Sequence, residues 1–184
     1  MDNPKGKRPR IKAEIANPVI DPLAYTNNLC SPNARKIKGF EEVLNIHFWI
    51  DKHYANRDQH GDENGKRDGI GMEYVDPLIL KSFSHLMHYA LKNKNFAFVN
   101  HPPLKNRNLR ITLKDTFKGE ETLNIIAEYH YVVPNQYEVT VVTALRKDDF
   151  WWSQGDFAVE FEGTTSRLLI NDKKVEREVD SHTP

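Results

Sequence analysis

The chain has 184 residues, which is enough for one domain with additional terminal segments. Hydrophobic residues make up 39%, so a core can form, and 26 Lys and Arg balance 26 Asp and Glu to give no net charge. No apolar run approaches the ~18 residues that a membrane-spanning helix needs, and the basic start lacks the apolar stretch of a secretory signal. We therefore expect a cytoplasmic protein with no membrane contact.

The charges are separated along the chain although they cancel overall. Residues 1–40 carry eight basic and three acidic residues, a net +5, and the remaining residues carry 18 and 23, a net -5. Residues 77–114 contain no acidic residue, seven basic residues and three histidines. A basic arm and an acid-free basic segment are typical of proteins that bind a polyanion, and RNA is the expected one.

The cysteine count and the missing motifs exclude several function classes. Cys30 is the single cysteine, which rules out an internal disulfide framework and a zinc cluster of several thiolates. The acidic loop at 58–71 fails the EF-hand spacing, because Gly71 stands where the twelfth-position Glu is required. Phosphate-binding, dinucleotide-binding and hydrolase motifs are absent. We expect neither a metal nor a cofactor.

The periodicity of the chain predicts helices followed by strands. Residues 1–34 form a basic, partly disordered arm that ends as a strap on the domain, because five prolines forbid a long helix. A single domain over 35–172 follows, and 173–184 form a polar tail that frays. Helical spacing predicts helices at 33–44, 51–59 and 72–92, the last beginning its regular turns at Asp76 or Pro77. Alternation predicts strands at 45–50, 96–100, 109–114, 121–133 and 137–145, with edge strands at 158–161 and 167–170. The predicted fold is α+β, with the strap and helices packed on a mainly antiparallel sheet of four to six strands.

Two helices carry candidate catalytic residues. His53 and Arg57 are one helical turn apart, and a histidine can act as acid or base while an arginine binds phosphate. Lys81, His85 and His88 share a face of the long helix that is not its apolar face. RNA cleavage through the 2′-hydroxyl needs a general base, a general acid and a cation on the phosphate. Solvated surface residues would give the same spacings, so both interpretations stay open.

Two further segments could contact RNA. Lys105, Arg107 and Arg110 belong to a basic turn that Pro102 and Pro103 make rigid. The adjacent aromatic residues Trp151 and Trp152 follow Arg146 and could stack unpaired bases, although a hydrophobic plug explains a tryptophan pair more simply.

Three stretches of this sequence resemble the RelE/barnase/colicin-type (BECR) ribonuclease superfamily, in its toxin and phage branches: KHYANR, KRDGIGMEYV and YEVTVVTALR. The resemblance covers roughly residues 45–147, and the loop between Arg57 and Arg67 is longer than in the family. It implies metal-independent cleavage of RNA through a 2′,3′-cyclic phosphate. His53 would be the acid or base with His85 or His88 as its partner. Arg57, Lys81 and Arg110 would hold the phosphate with Thr143 in support, and Arg67 matches the arginine of the family pattern. Lys105, Arg107 and Arg146 are expected to contact RNA because of their basic segments, independently of the resemblance.

The predicted function is therefore a toxin-like or phage-encoded endoribonuclease. Its partners would be single-stranded RNA or ribosome-associated mRNA, and a cognate antitoxin or a host protein. Two alternatives remain open. One is a non-catalytic adaptor or inhibitor of a host protein that binds through the aromatic residues around Trp151, and the other is a nucleic-acid-binding protein without activity.

Overall fold

The computed structural model describes residues 26–41, 45–60, 69–101, 108–117, 119, 121–152, 157–172 and 175–184, without the side chains of 37–41, 57–60 and 117. Within these ranges the chain forms nine strands and two helices. In chain order they are β1 (Ala34–Glu41), β2 (Asn45–Asp51), α1 (Lys52–His60), α2 (Met72–Lys92), β3 (Val99–Asn100), β4 (Ile111–Phe117), β5 (Glu121–Val133), β6 (Gln136–Arg146), β7 (Phe157–Glu162), β8 (Thr165–Asp172) and β9 (Val175–His182).

All nine strands belong to one mixed sheet. The strand order is β1-β2-β6-β5-β4-β7-β8-β9, and β3 pairs with β5. Three pairings are parallel, β2 with β6, β3 with β5 and β4 with β7, and the others are antiparallel. The long hairpin of β5 and β6 therefore lies at the centre of the sheet.

One face of the sheet is packed against both helices. Along β5 the odd-numbered side chains from Leu123 to Tyr129 join the main hydrophobic core, together with Tyr54 of α1 and Leu86 of α2. Because successive strand residues point to opposite sides, the even-numbered residues of β5 point away from the helices. We call that opposite side the outer face of the sheet. A second, small cluster around the fully buried Trp152 packs there on Ala158 and Leu169.

The helix α2 forms as predicted but begins earlier. Its buried residues recur at helical spacing, which accounts for its formation. Gly71 is the N-cap residue, and Pro77 lies inside the helix. Pro77 is the sixth residue of α2 and has no backbone N–H, so the helical hydrogen bond to the Glu73 carbonyl, four residues before it, cannot form. The predicted helix at 51–59 is also confirmed as α1, with Asp51 accepting the His53 backbone N–H at 2.8 Å.

The predicted hairpin at the centre of the sheet is confirmed. β5 has the predicted limits, and Asn135 in the turn has a φ of 63°, a conformation that asparagine tolerates better than most residues. The predicted pair at 158–161 and 167–170 also forms, as β7 and β8, although neither strand lies at an edge of the sheet.

The predicted α+β class with four to six strands is wrong. About 52% of the residues that the structure describes are strand and 21% are helix, so this part of the chain is mostly β. The predicted helix at 33–44 is in fact β1, which pairs with β2 from Ala34 to Glu41. The residues 175–182, expected to fray, form β9 on the edge of β8. In both places pairing with a neighbouring strand, which is not visible in local periodicity, decides the structure. Among the described residues, no helix is long and apolar enough to cross a membrane.

Candidate functional site

The outer face of β5 carries two buried titratable residues, Glu128 and His130. They are two positions apart in the strand and so point to the same side. Their exposed fractions are 1% and 3%. The His130 Nε2 lies 3.2 Å from Glu128 Oε2. A carboxylate this deeply buried needs further hydrogen bonds to offset its lost hydration.

Those bonds come from residues on both sides of β5. Arg110 Nε donates to Glu128 Oε1 at 2.7 Å, and Asn108 Nδ2 donates to Oε2 at 2.8 Å. The Cys30 thiol also hydrogen-bonds the carboxylate. Burial raises the pKa of Glu128. The hydrogen bonds from four residues outweigh that effect and hold the pKa at about 2, namely those from His130, Cys30, Arg110 and Asn108. We call these five residues the outer-face cluster: Cys30, Asn108, Arg110, Glu128 and His130.

Residues 26–33 lie over the outer-face cluster and are called here the covering segment. Asn28 Nδ2 donates to Thr140 Oγ1 on β6 at 2.8 Å, and Asn28 Oδ1 accepts the backbone N–H groups of Cys30 and Ser31 at 3.0 and 2.8 Å. This turn, typical of asparagine, directs the half-buried Cys30 toward β5. The segment is also joined to the sheet by the backbone bridge between Thr26 and Ala34 of β1 and by the Leu29 N–H, which donates to Glu138 Oε2 at 3.4 Å.

Cys30 is a hydrogen-bond donor here rather than a nucleophile. Burial raises the pKa of its thiol, and the charge and hydrogen bond of Glu128 raise it further. A neutral thiol attacks poorly, because the thiolate is the reactive form. The order of contacts also differs from a Cys–His–carboxylate triad, in which the nucleophile contacts the histidine.

The cluster nevertheless contains the groups of acid–base catalysis. A carboxylate, an imidazole and a guanidinium are in direct hydrogen-bond contact, and a base, an acid and a phosphate-binding cation are what 2′-hydroxyl attack requires. The same place offers metal ligands. One atom each of Cys30, Glu128 and His130 lies within 4.8 Å of the other two, and this is the one such group found in the described part of the chain.

Two residues predicted to contact phosphate or RNA lie on or near this site. Arg110 belongs to the outer-face cluster, and Thr143 lies on β6, buried, opposite Ile126 of β5. His53 is elsewhere, exposed on α1, a helix that packs against β2 and β6. Arg57 follows on α1 with its side chain outside the description, and Arg67, Lys105 and Arg107 lie outside the described residues.

The histidines of α2 are brought together with a third that the sequence analysis did not single out. His182 of β9 stacks on His88 with ring centroids 3.7 Å apart, and its ring lies 5.1 Å from that of His85. His85 is only 2% exposed, and its Nδ1 lies 2.7 Å from Ser166 Oγ of β8. Burial lowers the pKa of His85 to about 4, and the nearby charges of His182, Lys81 and His88 lower it as well.

The expectation that His85 lies off the buried face of α2 is therefore wrong, because its side chain is buried against β8 and β9. The remaining predicted cations are paired with acids. Lys81 Nζ lies 3.0 Å from Asp115 Oδ2, and Arg146 lies 3.6 Å from a Glu121 carboxylate oxygen.

Trp152 is fully buried and Trp151 stacks on it, which fits the plug interpretation.

Comparison with known proteins adds no assignment, since the chain matches no protein-family model, no curated protein and no solved structure. The resemblance to the ribonuclease superfamily therefore rests on the short sequence motifs alone.

Proposed function

We propose that this protein is an endoribonuclease of the toxin or phage type, and that it cleaves RNA at the outer-face cluster without a metal ion. The observation that carries the proposal is the buried carboxylate of Glu128, which contacts both Arg110 and His130. These residues supply a cation, a base and an acid at one place on the sheet, with Glu128 between the other two. The family resemblance supports the same chemistry, although it assigns the acid–base roles to His53 and to His85 or His88.

The reaction would proceed by in-line attack on phosphorus, for which the side chains of Glu128 and His130, now 3.2 Å apart, must separate to reach O2′ and O5′ on opposite sides of the phosphorus. Glu128 accepts the proton of the ribose 2′-hydroxyl as the bond between O2′ and phosphorus forms. Protonated His130 donates its proton to O5′ as the bond between phosphorus and O5′ breaks, so the products carry a 2′,3′-cyclic phosphate and a 5′-hydroxyl. Arg110 stabilises the charge that grows on the phosphate oxygens.

RNA can reach these groups only after the covering segment moves, because Glu128 and His130 are almost completely buried beneath it. Displacement removes the thiol hydrogen bond to Glu128. A phosphate that takes over Arg110 removes a second bond. Both losses raise the pKa of Glu128 above about 2, while renewed contact with water removes part of the burial that now raises it.

The outer-face cluster is preferred to the histidines of α2 as the catalytic centre. His85 is as buried as Glu128 and His130, but burial lowers its pKa to about 4, so near neutral pH it is not the protonated acid that cleavage needs. As part of the proposal, the substrate is single-stranded or ribosome-associated RNA in the cytoplasm. A cognate antitoxin or a host protein would be the partner that controls such an activity.

The test is cleavage of an end-labelled single-stranded RNA by the purified full-length chain in EDTA. We expect fragments with 2′,3′-cyclic phosphate ends, identified by mass spectrometry. Glu128→Gln and His130→Gln should each lower the rate at least about 100-fold. Matched controls on the same face are Glu138→Gln and His47→Gln, which should retain activity. Thermal unfolding of each variant verifies that it folds.

Two results would overturn the proposal. One is intact RNA with both the wild-type chain and Asn28→Ala, a variant that loosens the covering segment and so removes closure as an explanation. The other is cleavage by the wild-type chain that leaves 5′-phosphate ends. This result is measured without any variant, so it does not depend on whether a substituted chain folds. Loss of activity in His53→Gln with full activity in His130→Gln would transfer the catalytic role to α1. Salt-sensitive RNA binding without cleavage would favour the plain binding protein.

A further inference from the structure

We infer that Cys30, Glu128 and His130 form a binding site for a transition-metal ion, with Zn²⁺ as the best match. The site itself does not depend on the proposed function. Its regulatory consequence does rest on that function, because the ion would occupy both the proposed base and the proposed acid. Bound Zn²⁺ would therefore inhibit cleavage of RNA.

The ligand set and its spacing favour zinc. A thiolate, an imidazole and a carboxylate are the three ligand types that Zn²⁺ takes in proteins, and three protein ligands plus one open position form a common site. Around a tetrahedral Zn²⁺ the ligand atoms are separated by about 3.3–3.8 Å. The Glu128 and His130 atoms are already 3.2 Å apart, and the ligand atom of Cys30 lies within 4.8 Å of both. A small movement of Cys30 is enough to close the site.

The surrounding residues already orient the ligands. Arg110 bonds Glu128 Oε1, which leaves Oε2 directed at His130, and Asn108 holds the same carboxylate from the side of β4. Hydrogen bonds of this kind from outside the ligand set fix the orientation of metal ligands. The nearby Arg110 cation opposes a dication and lowers the affinity. The thiolate and the carboxylate offset this repulsion, because their two negative charges together balance the two positive charges of Zn²⁺.

Metal binding would also change the covering segment. Cys30 belongs to that segment while Glu128 and His130 belong to β5, so one ion would join the segment to the centre of the sheet. The thiol must lose its proton when the ion binds, so affinity should rise with pH. An ion that binds only the folded chain also stabilises it by mass action.

Cobalt provides a direct assay, because Cys30 is the single cysteine of the chain. A thiolate-to-cobalt charge-transfer absorption of the tag-free full-length chain can therefore come only from Cys30. We expect this band at one Co²⁺ per monomer, its loss when Zn²⁺ is added in equal amount, and no band in Cys30→Ser. Competition with a chelating dye gives the Zn²⁺ affinity, which should fall at least about 10-fold in His130→Gln. The matched control His53→Gln should leave it unchanged.

Absence of the band would overturn the inference, as would one metal per two chains or an unchanged Zn²⁺ affinity in both Cys30→Ser and His130→Gln. The RNA assay separates this outcome from the fate of the proposed function. If the chain binds Co²⁺ in one assay but does not cleave RNA in EDTA in the other, the metal site stands and the proposed nuclease is wrong. If the chain cleaves RNA in EDTA and still does so after the EDTA is removed and Zn²⁺ is added, the nuclease stands and regulation by the metal is wrong.

Discussion

Acidification should destabilise the protein through His85, and the size of the effect follows from its burial. Burial is the main cause that lowers the pKa of this imidazole from 6.5 to about 4, with further lowering by the charges of His182, Lys81 and His88. The unfolded chain takes up a proton near pH 6.5 and the folded chain does not. The contribution of His85 is therefore complete above pH 6.5 and is lost as the pH falls from 6.5 toward 4. At about 1.4 kcal/mol for each pH unit, the loss is about 3 kcal/mol.

The assay is urea denaturation at several pH values between 7.5 and 4, for the wild-type chain and for His85→Gln. At pH 7.5 we expect the variant to be less stable, because it loses packing against Phe161 and the bond to Ser166. As the pH falls the wild-type chain should lose stability faster, so that the two free energies of unfolding converge by about 3 kcal/mol. His53→Gln controls for the removal of one imidazole from an exposed position.

Parallel stability curves for the wild-type chain and His85→Gln would refute this account of His85. The reasoning would also fail if the two curves diverged on acidification, because that result requires the folded state to bind the proton more tightly than the unfolded chain does.

Two further substitutions test how the sheet is held together. Asn100→Ala removes three hydrogen bonds by which a fully buried side chain joins β3 to β5 and to the backbone preceding β4, so the free energy of unfolding should fall by about 3 kcal/mol in urea denaturation. The exposed Asn95→Ala is its control, and a loss below about 1 kcal/mol would contradict the role of Asn100. Trp152→Ala empties a fully buried site and should cost about 3–5 kcal/mol in the same assay. Trp151→Ala should lower the free energy of unfolding clearly less. Equal losses in the two variants would contradict the assignment of Trp152 as the buried indole and Trp151 as the peripheral one.

The parts of the fold that could be predicted from sequence are those determined by local pattern. The helical spacing of apolar residues in α2 and the alternation along β5 and β6 each reflect a neighbouring core, so their type and limits follow from the sequence. β1 and β9 could not be predicted in the same way. β9 is polar and mostly exposed, and it is a strand because the edge of β8 offers hydrogen-bond partners.

The candidate site was only partly predictable for a similar reason. Arg110 was expected to contact phosphate, and it does belong to the cluster. Glu128 and His130 lie two residues apart in a strand that was predicted, and this spacing alone places them on one face. What the sequence does not reveal is that this face is covered, or that Cys30, 98 residues before Glu128, covers it. Such long-range contacts have no local signature.

The separation of charge along the sequence also has a different meaning in three dimensions. In the acid-free segment, Lys81, Lys92, Arg110 and Lys114 each pair with an acid from outside it, in the order Asp115, Asp180, Glu128 and Glu176. The basic segment thus meets its counterions within the fold, and the cations available to attract a polyanion are fewer than the sequence suggests.

This pairing bears directly on how RNA could bind at the outer-face cluster. A phosphate that binds Arg110 must compete with Glu128 for the guanidinium, because the two are bonded at 2.7 Å. The exchange costs one charged hydrogen bond and replaces it with another, so it contributes little net affinity. Its chemical effect is larger, since a carboxylate that has lost its cation has a higher pKa. Substrate binding would in this way convert Glu128 from the counterion of Arg110 into a base, and only when a phosphate is in position to be attacked.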